Sequence, residues 1–420
     1  MCFKTTTWKR VEEKYVVDLA QEKPGLVLFS DLGSSYLDIL GKHLPDSDLI
    51  VLDHHLVVES TADNIVHCNP LLNDIDGSRG VSGAGVAYFF AKTVDQKNVD
   101  LSPLGILGAL GDQQDKGPKN SMLALNKIIE ADAKEADLLE TSVDLIFYGY
   151  ETRPIAKACA YTTRPFIPGL SGREDNCLSL LKEAGIKLKE GERWRALRDL
   201  TDEEKRDLFS ALTKHMIYEG VKPEMVHRLV GTIYTFKTEE PWTPLRDARE
   251  YASMLNACAR MGRPSLGLAM CLGDRNEAMR EAEVTLDGYR RKIGQYLDWV
   301  RSKDRIREMD NIYYMKAEGA IDDTIVGVVA SILLTTGILK NQKPFIASAH
   351  TEEGLIKVSA RGTMAMAEKG LDLGEIMLKA CEPFEGRGGG HDLAAGAFLP
   401  LSDEDEFLRR VNILIGEQLS

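Results

Sequence analysis

Two short apolar runs, Leu26-Val27-Leu28-Phe29 and Leu49-Ile50-Val51-Leu52, each end at ionisable residues. The first closes in Ser30-Asp31-Leu32-Gly33 and the second in Asp53-His54-His55. Four consecutive apolar residues without polar alternation suit strands covered on both faces, the pattern of a parallel sheet. The intervening stretch, 35–43, reads as helix and supplies the crossover that parallel neighbours require. In such sheets, sites form outside the carboxyl ends of the strands. Asp31 and Asp53-His54-His55 are therefore expected where chemistry happens.

The same rhythm runs through the first third of the chain. Residues 8–22 carry a polar-rich helical pattern, Ser82-Gly83-Ala84-Gly85 opens an apolar helix through about Val94, and a glycine-studded apolar element, 104–110, ends in Gly111-Asp112. Residues 1–160 are read as an α/β domain built on a parallel sheet. From 165 to 245 the sequence is charged and helical, as in Asp202-Glu203-Glu204-Lys205-Arg206-Asp207. It is broken by Pro165, Pro168, Pro223, Pro241 and Pro244, which marks an inserted helical module. Residues 246–310 are expected to be connecting helices, among them a charged helix from Asn276 to about Ser302, long enough to bridge two domains. Strand candidates at 311–316, 344–349 and 355–361 and a helix at 323–337 make 311–420 a smaller C-terminal α/β domain. A chain of 420 residues, 44% apolar, has material for several cores.

No stretch approaches the roughly 20 apolar residues that span a bilayer, and the start MCFKTTTWKR lacks the apolar centre of a signal peptide, so a cytoplasmic chain is expected. The seven cysteines are scattered and never spaced C-x-x-C, which argues against a disulfide framework or a zinc ribbon. A net charge of −13 argues against broad coating of nucleic acid, though metal ions and a few local cations can hold phosphates in an acidic protein.

A carboxylate beside two imidazoles, Asp53-His54-His55, suits a divalent transition ion such as manganese. Asp31 and Asp112, taken singly, are ordinary turn or cap residues; at the ends of consecutive core elements, the set reads as a metal site. Near the C-terminus, Gly386-Arg387-Gly388-Gly389-Gly390-His391 reads as a glycine loop whose N–H groups approach an anion, with Arg387 and His391 alongside. Val358-Ser359-Ala360-Arg361 ends a strand candidate at a guanidinium suited to phosphate. Asp74-Ile75-Asp76-Gly77 is read as a loop and Asp46-Ser47-Asp48 as lying at the wrong end of its strand.

In this order the pieces resemble the DHH phosphoesterase superfamily over nearly the whole chain: Asp31, Asp53-His54-His55, Gly111-Asp112, Arg361 and Gly388-Gly389-Gly390-His391. Phe29-Ser30-Asp31-Leu32-Gly33-Ser34, Ser82 to Phe89, Glu250 to Ala257 and the insertion are similar to archaeal RecJ homologues, the GINS-associated nucleases. The resemblance implies two Mn2+ ions, or Mg2+, with Asp31 bridging them and His54 and Asp112 on the second. It implies His55 at the scissile phosphate and Asp53 orienting the imidazoles. Ser359, Arg361, Arg387, Gly388, Gly389, Gly390 and His391 would bind substrate. The implied activity is 5′-to-3′ exonucleolysis of single-stranded DNA or RNA, tied to replication and repair through GINS. The family's first strand and its H-x-D-x-D type segment have no counterpart before Asp31, so an N-terminally shortened chain and a weak nuclease are expected.

Two other readings compete. A non-catalytic replication-helicase scaffold that binds GINS keeps the fold without the metal site, but has no need of the intact Asp-His-His and Gly-Gly-Gly-His motifs. A small-oligonucleotide or cyclic-dinucleotide phosphodiesterase has no need of an insertion as long as 165–245.

Overall fold

The computed structural model describes residues 4–8, 11–162, 165, 167–221, 223–302, 305–335, 339, 343–384 and 386–419. Cys2, the first part of the helix expected over 8–22, and 336–337 of the helix expected over 323–337 include positions outside that set. The described cysteines are free thiols. The described part of the first helix is α1 (Glu13–Gln21). The two apolar runs are strands β1 (Leu26–Ser30) and β2 (Asp48–Leu52), joined through α2 (Leu37–His43) and paired in parallel. β3 (Ile65–Cys68) adds in parallel beyond β2. One expectation is corrected: β1, an edge strand among the described residues, is not covered on both faces. Phe29 is buried, whereas Leu26 and Leu28 are 59% and 48% exposed.

The Ser82 hydroxyl accepts from the Gly85 N–H and starts α3 (Gly83–Val94) where the serine-glycine signal predicts it. The run 104–110 lies in α4 (Ser102–Gly111), with Asp112 as its C-cap, and α5 (Ala124–Glu135) packs on α4. Beyond β4 (Leu139–Leu145) come α6 (Ile155–Tyr161), α7 (Glu174–Glu183), a hairpin of β5 (Lys189–Glu190) and β6 (Arg193–Trp194), α8 (Asp202–Tyr218), α9 (Pro223–Val226) and β7 (Val230–Phe236). β4 and β7 pair antiparallel, from Leu139 opposite Phe236 to Leu145 opposite Val230. Between them Ile155, Cys159, Leu181, Leu208, Leu212 and Met216 share one buried cluster. Thr201 and Glu204 form a reciprocal capping box that fixes the start of α8, and Arg195 grips Glu204 through both guanidinium nitrogens at 2.6 Å.

The chain folds as two compact units, residues up to His54 with Val58–Asn256, and His55–Val57 with Ala257–Ser420. The change at Asn256 falls within α10 (Ala248–Arg260). The second unit contains α11 (Pro264–Cys271) and α12 (Glu277–Arg301). The long helix read as a bridge between domains is thus α12, wholly inside this unit and anchored there by Lys292 on Asp322 at 2.6 Å. The rest comprises β8 (Arg307–Glu308), β9 (Tyr313–Lys316), α13 (Val326–Thr335), β10 (Phe345–His350), β11 (Leu355–Arg361), α14 (Met364–Ala367), α15 (Leu373–Cys381), β12 (Arg387–Gly390), β13 (Ala394–Pro400) and α16 (Glu404–Gln418). Its six-stranded sheet runs β12-β13-β11-β10-β9-β8, parallel only between β9 and β10. Among the described residues no helix is long and apolar enough to cross a membrane.

Two carboxyls are sealed into the first unit where α10 begins. Asp247 Oδ1 accepts from the Arg249 and Glu250 N–H groups, and the Glu250 carboxylate accepts from the Glu151 N–H and the Thr152 hydroxyl. Burial raises both pKa values above the ordinary range, and for Glu250 the Asp247 charge adds to it. The native state therefore keeps protons that the unfolded chain releases above about pH 4, so stability is full below that point and is lost as pH rises through the raised values. Glu250→Gln removes one of these titrations. Urea unfolding from pH 5 to 9 should fall more shallowly for the variant, with a relative gain of roughly 1 kcal/mol or more at the alkaline end; parallel pH profiles would count against this assignment.

Candidate functional site

The parallel pairing of β1 and β2 brings their carboxyl ends level, Ser30 opposite Leu52, so Asp31 and Asp53 leave the sheet side by side. The Asp31 N–H still donates to the Leu52 carbonyl at 2.9 Å, but its φ of 62° turns the chain out of the strand. Aspartate tolerates this left-handed conformation better than most residues. The turn lays the Asp31 carboxylate against the start of α3, where a Cβ on Gly83 would collide with it. Gly83 is thus required by close approach, and the positive end of the helix dipole favours the charge placed there.

His54 is 1% exposed, yet every polar atom of its ring is used. Its Nδ1 donates to the Gly77 carbonyl at 2.7 Å, and Nε2 lies 3.2 Å from Asp31 Oδ1 and 3.4 Å from Asp112 Oδ2. A carbonyl only accepts, so Nδ1 carries a hydrogen and the second nitrogen is the one turned toward the two carboxylates. Burial by itself would depress the His54 pKa; the hydrogen bond with Asp31 and the charges of Asp112 and Asp31 outweigh it and raise the value to about 9. One nitrogen and two carboxylates around a point now serve a proton, and a divalent cation competes for the same lone pairs. Ligand atoms of Asp31, Asp53 and His54 lie within 4.8 Å of one another. The donor set and its orientation fit a transition-metal ion such as manganese.

Asp53 is held from below. Its Oδ2 accepts from the Ser34 N–H at 2.9 Å and Oδ1 from the His54 N–H at 2.8 Å. The buried Ser34 hydroxyl in turn meets His67 Nε2 and accepts from Asn69 Nδ2, both at 2.8 Å. Burial lowers the His67 pKa, which keeps that ring neutral. Above, Gln114 donates to the Gly77 carbonyl at 3.0 Å and is itself gripped by Asn126 at 2.7 Å. Sequence reasoning missed Ser34, His67, Asn69, Gly77, Gln114 and Asn126. Their only signals were Ser34's place in the Phe29–Ser34 segment, the Asn69-Pro70 turn and the glycine ending Asp74-Ile75-Asp76-Gly77. In that loop the aspartates stay local, Asp76 accepting from Ser78, and the atom that reaches His54 is a backbone carbonyl.

The chain passes into the second unit between His54 and His55, and there the His55 ring stacks on His391, centroids 5.3 Å and planes 24° apart. The glycine run corrects an expectation: Arg387–Gly390 is strand β12, in register with β13, not a loop. Helix α15 explains the composition, because a Cβ on Gly388 would strike the Met377 carbonyl, and Gly390 has a φ of 142°. Gly389 differs, since a Cβ there would meet nothing within 4 Å. Arg361 ends β11, with Nε on the Ser331 hydroxyl at 3.0 Å and one terminal nitrogen on the Ala360 carbonyl at 2.7 Å; Ser359 is buried two residues before it.

Residues 147–230 match the DHH-CID domain and residues 310–417 the DHHA1 domain. An uncharacterized protein of Methanocaldococcus jannaschii is 33% identical over 414 residues, covering 98% of this chain and 85% of that protein. CDC45 from Entamoeba histolytica has a similar structure, with a TM-score of 0.60 at 12% identity over 96% of this chain and 88% of that one. RecJ from Thermus thermophilus, solved in complex with Mn2+, gives 0.52 at 19% identity over 97% and 47%. At these identities the structural likeness is one of fold.

The Asp31–Gly83 contact yields a direct test. Gly83→Ala should push the Asp31 carboxylate off the helix start and weaken Mn2+ binding, measured calorimetrically, by roughly tenfold or more, the scale typical of disturbed supporting contacts in metal sites. Unchanged affinity in a folded variant would show that Asp31 is not held there for a cation.

Proposed function

The chain belongs to the DHH superfamily and is RecJ-like, and from that premise we propose that it is a divalent-metal-dependent phosphodiesterase acting on single-stranded nucleic acid. The observation that carries the reading is the convergence of Asp31 and Asp112 on the one His54 nitrogen that Gly77 leaves turned toward them. With Nδ1 already on Gly77, a bare structural role for the buried histidine needs one partner at Nε2, not two carboxylates 43% and 59% exposed. Asp31, His54 and Asp112 would hold the metal, Mn2+ as in the Thermus RecJ structure or Mg2+. When bound, it supplies charge that stabilises developing negative charge on phosphoryl oxygens and acidifies water.

The chain's own groups divide the remaining work. Gly77 and Gln114 keep the His54 ring in one tautomer and orientation. Asp53, occupied by two N–H groups, orients the His54-His55 segment. His55 is assigned to the scissile phosphate, its ring steadied by stacking on His391. Ser359, Arg361, Arg387, the Gly388–Gly390 strand and His391 are assigned to substrate. The finer reading is a 5′-to-3′ exonuclease of single-stranded DNA or RNA working in replication and repair through GINS.

A second reading, a non-catalytic scaffold that binds GINS, draws on the likeness to CDC45. It gives no task to the Asp31, His54 and Asp112 arrangement, and we rank it second on that ground. Mn2+ calorimetry with hydrolysis of an end-labelled single strand separates the two. His54→Ala and Asp112→Asn should each lose Mn2+ binding and reduce hydrolysis about 100-fold or more, with thermal stability retained in Asp112→Asn. Wild-type metal affinity and rate in both variants would exclude the enzyme reading.

A further inference from the structure

In the second unit, one face of the sheet is buried under α15 and α16; on the opposite face α13 packs on β10 and β11, while Arg387 of β12 is exposed and Phe398 of β13 half-buried. Val358 and Ala360 of β11, with Ala395, Ala397 and Leu399 of β13, go into the core. Residues alternating with them point outward. The register places three of these in one straight row: Arg387 on β12, Phe398 on β13 and Lys357 on β11, since Phe398 is the partner of both cations. The Lys357 Nζ leans over the Phe398 ring, 5.6 Å from its centroid.

Two residues along, about 7 Å away, the next row is Gly389, Gly396 and Ser359. Ser359 is buried there beside Gly327 of α13, whereas Gly389 opens onto free space. Arg361 stands one row further, opposite Ala394. Away from α13 the face thus reads cation, ring, cation and then a shallow glycine trough, with the Arg361 guanidinium at its edge, bonded to Ser331 of α13. None of the outward positions on these three strands is a carboxylate, in a chain whose net charge is −13.

We propose that Arg387, Phe398 and Lys357 form a stacking subsite for one nucleobase of a single strand, with the strand's phosphates running over the Gly389–Gly396 trough toward Arg361. This rests on the phosphodiesterase reading for the identity of its ligand, and adds Phe398 and Lys357, which the motifs do not mark. An aromatic ring flanked by two cations on a sheet surface is the arrangement that holds unpaired bases by stacking and their phosphates by charge. A ring with apolar packing as its sole task would not need a cation as cross-strand partner on both sides.

The test uses the full chain in EDTA, so binding does not depend on the metal centre, with a 12-nucleotide single strand and an abasic strand of the same length as probes. Phe398→Leu should weaken binding of the base-bearing strand about fivefold or more and leave the abasic strand unchanged, and Phe398→Tyr should restore wild-type affinity. Lys357→Gln should weaken both strands, with the deficit shrinking at high salt. Equal losses on both strands for Phe398→Leu, or none on either, would overturn the proposal. Failure of the phosphodiesterase reading is seen elsewhere, as undiminished hydrolysis in Asp112→Asn.

Discussion

The hydrogen bond from His54 Nδ1 to the Gly77 carbonyl organises the first unit's site. An imidazole that is 1% exposed must satisfy both nitrogens, and once one is committed to a carbonyl the other has to face the carboxylates. The bond constrains the loop as strongly as the ring. Gly77 packs so tightly on the His54 backbone that a Cβ would collide with the His54 carbonyl, and Gln114, fixed by Asn126, grips the same Gly77 oxygen. β2, the 74–80 loop and the residues after α4 are therefore tied through one carbonyl oxygen, and Asp112, two residues before Gln114, is carried into place with them.

Below this point the strand ends are held by a second buried network. Ser34 and Asn69 would each be costly to bury alone, and with the half-buried His67 they satisfy one another while the Ser34 N–H donates to one oxygen of Asp53. Exposed carboxylates above and neutral hydrogen-bonded groups below put the negative charge where a cation can approach. The preorganisation lies in residues that never face the site's opening.

Glycine serves two different ends in this chain. At Gly77, Gly83 and Gly388 a side chain would collide with a neighbour, and the residue is there so that backbone or carboxylate can come close. At Gly389 the space is open, which leaves a trough in the sheet between Phe398 and Arg361. A run of three glycines looks uniform on paper, but its members face alternately toward α15 and away from it.

The alternation of apolar runs and ionisable stops was enough to locate β1, β2 and the helices starting at Gly83 and Glu277, because strand and helix periodicities are local and strong. The same stops marked Asp31, Asp53, His54 and Asp112 before any geometry was known. What local pattern could not carry is partnership across the chain. The exposure of β1 depends on what packs on each of its faces, the Gly388–Gly390 strand on β13, and the place of α12 on contacts within the second unit. The orientation of His54 depends on a carbonyl 23 residues away that carries no chemical label in the sequence. Side-chain chemistry and periodicity are written residue by residue, so the sequence by itself determined which groups could act; backbone atoms and register acquire meaning only by folding, so the tertiary structure alone decided which of those groups meet.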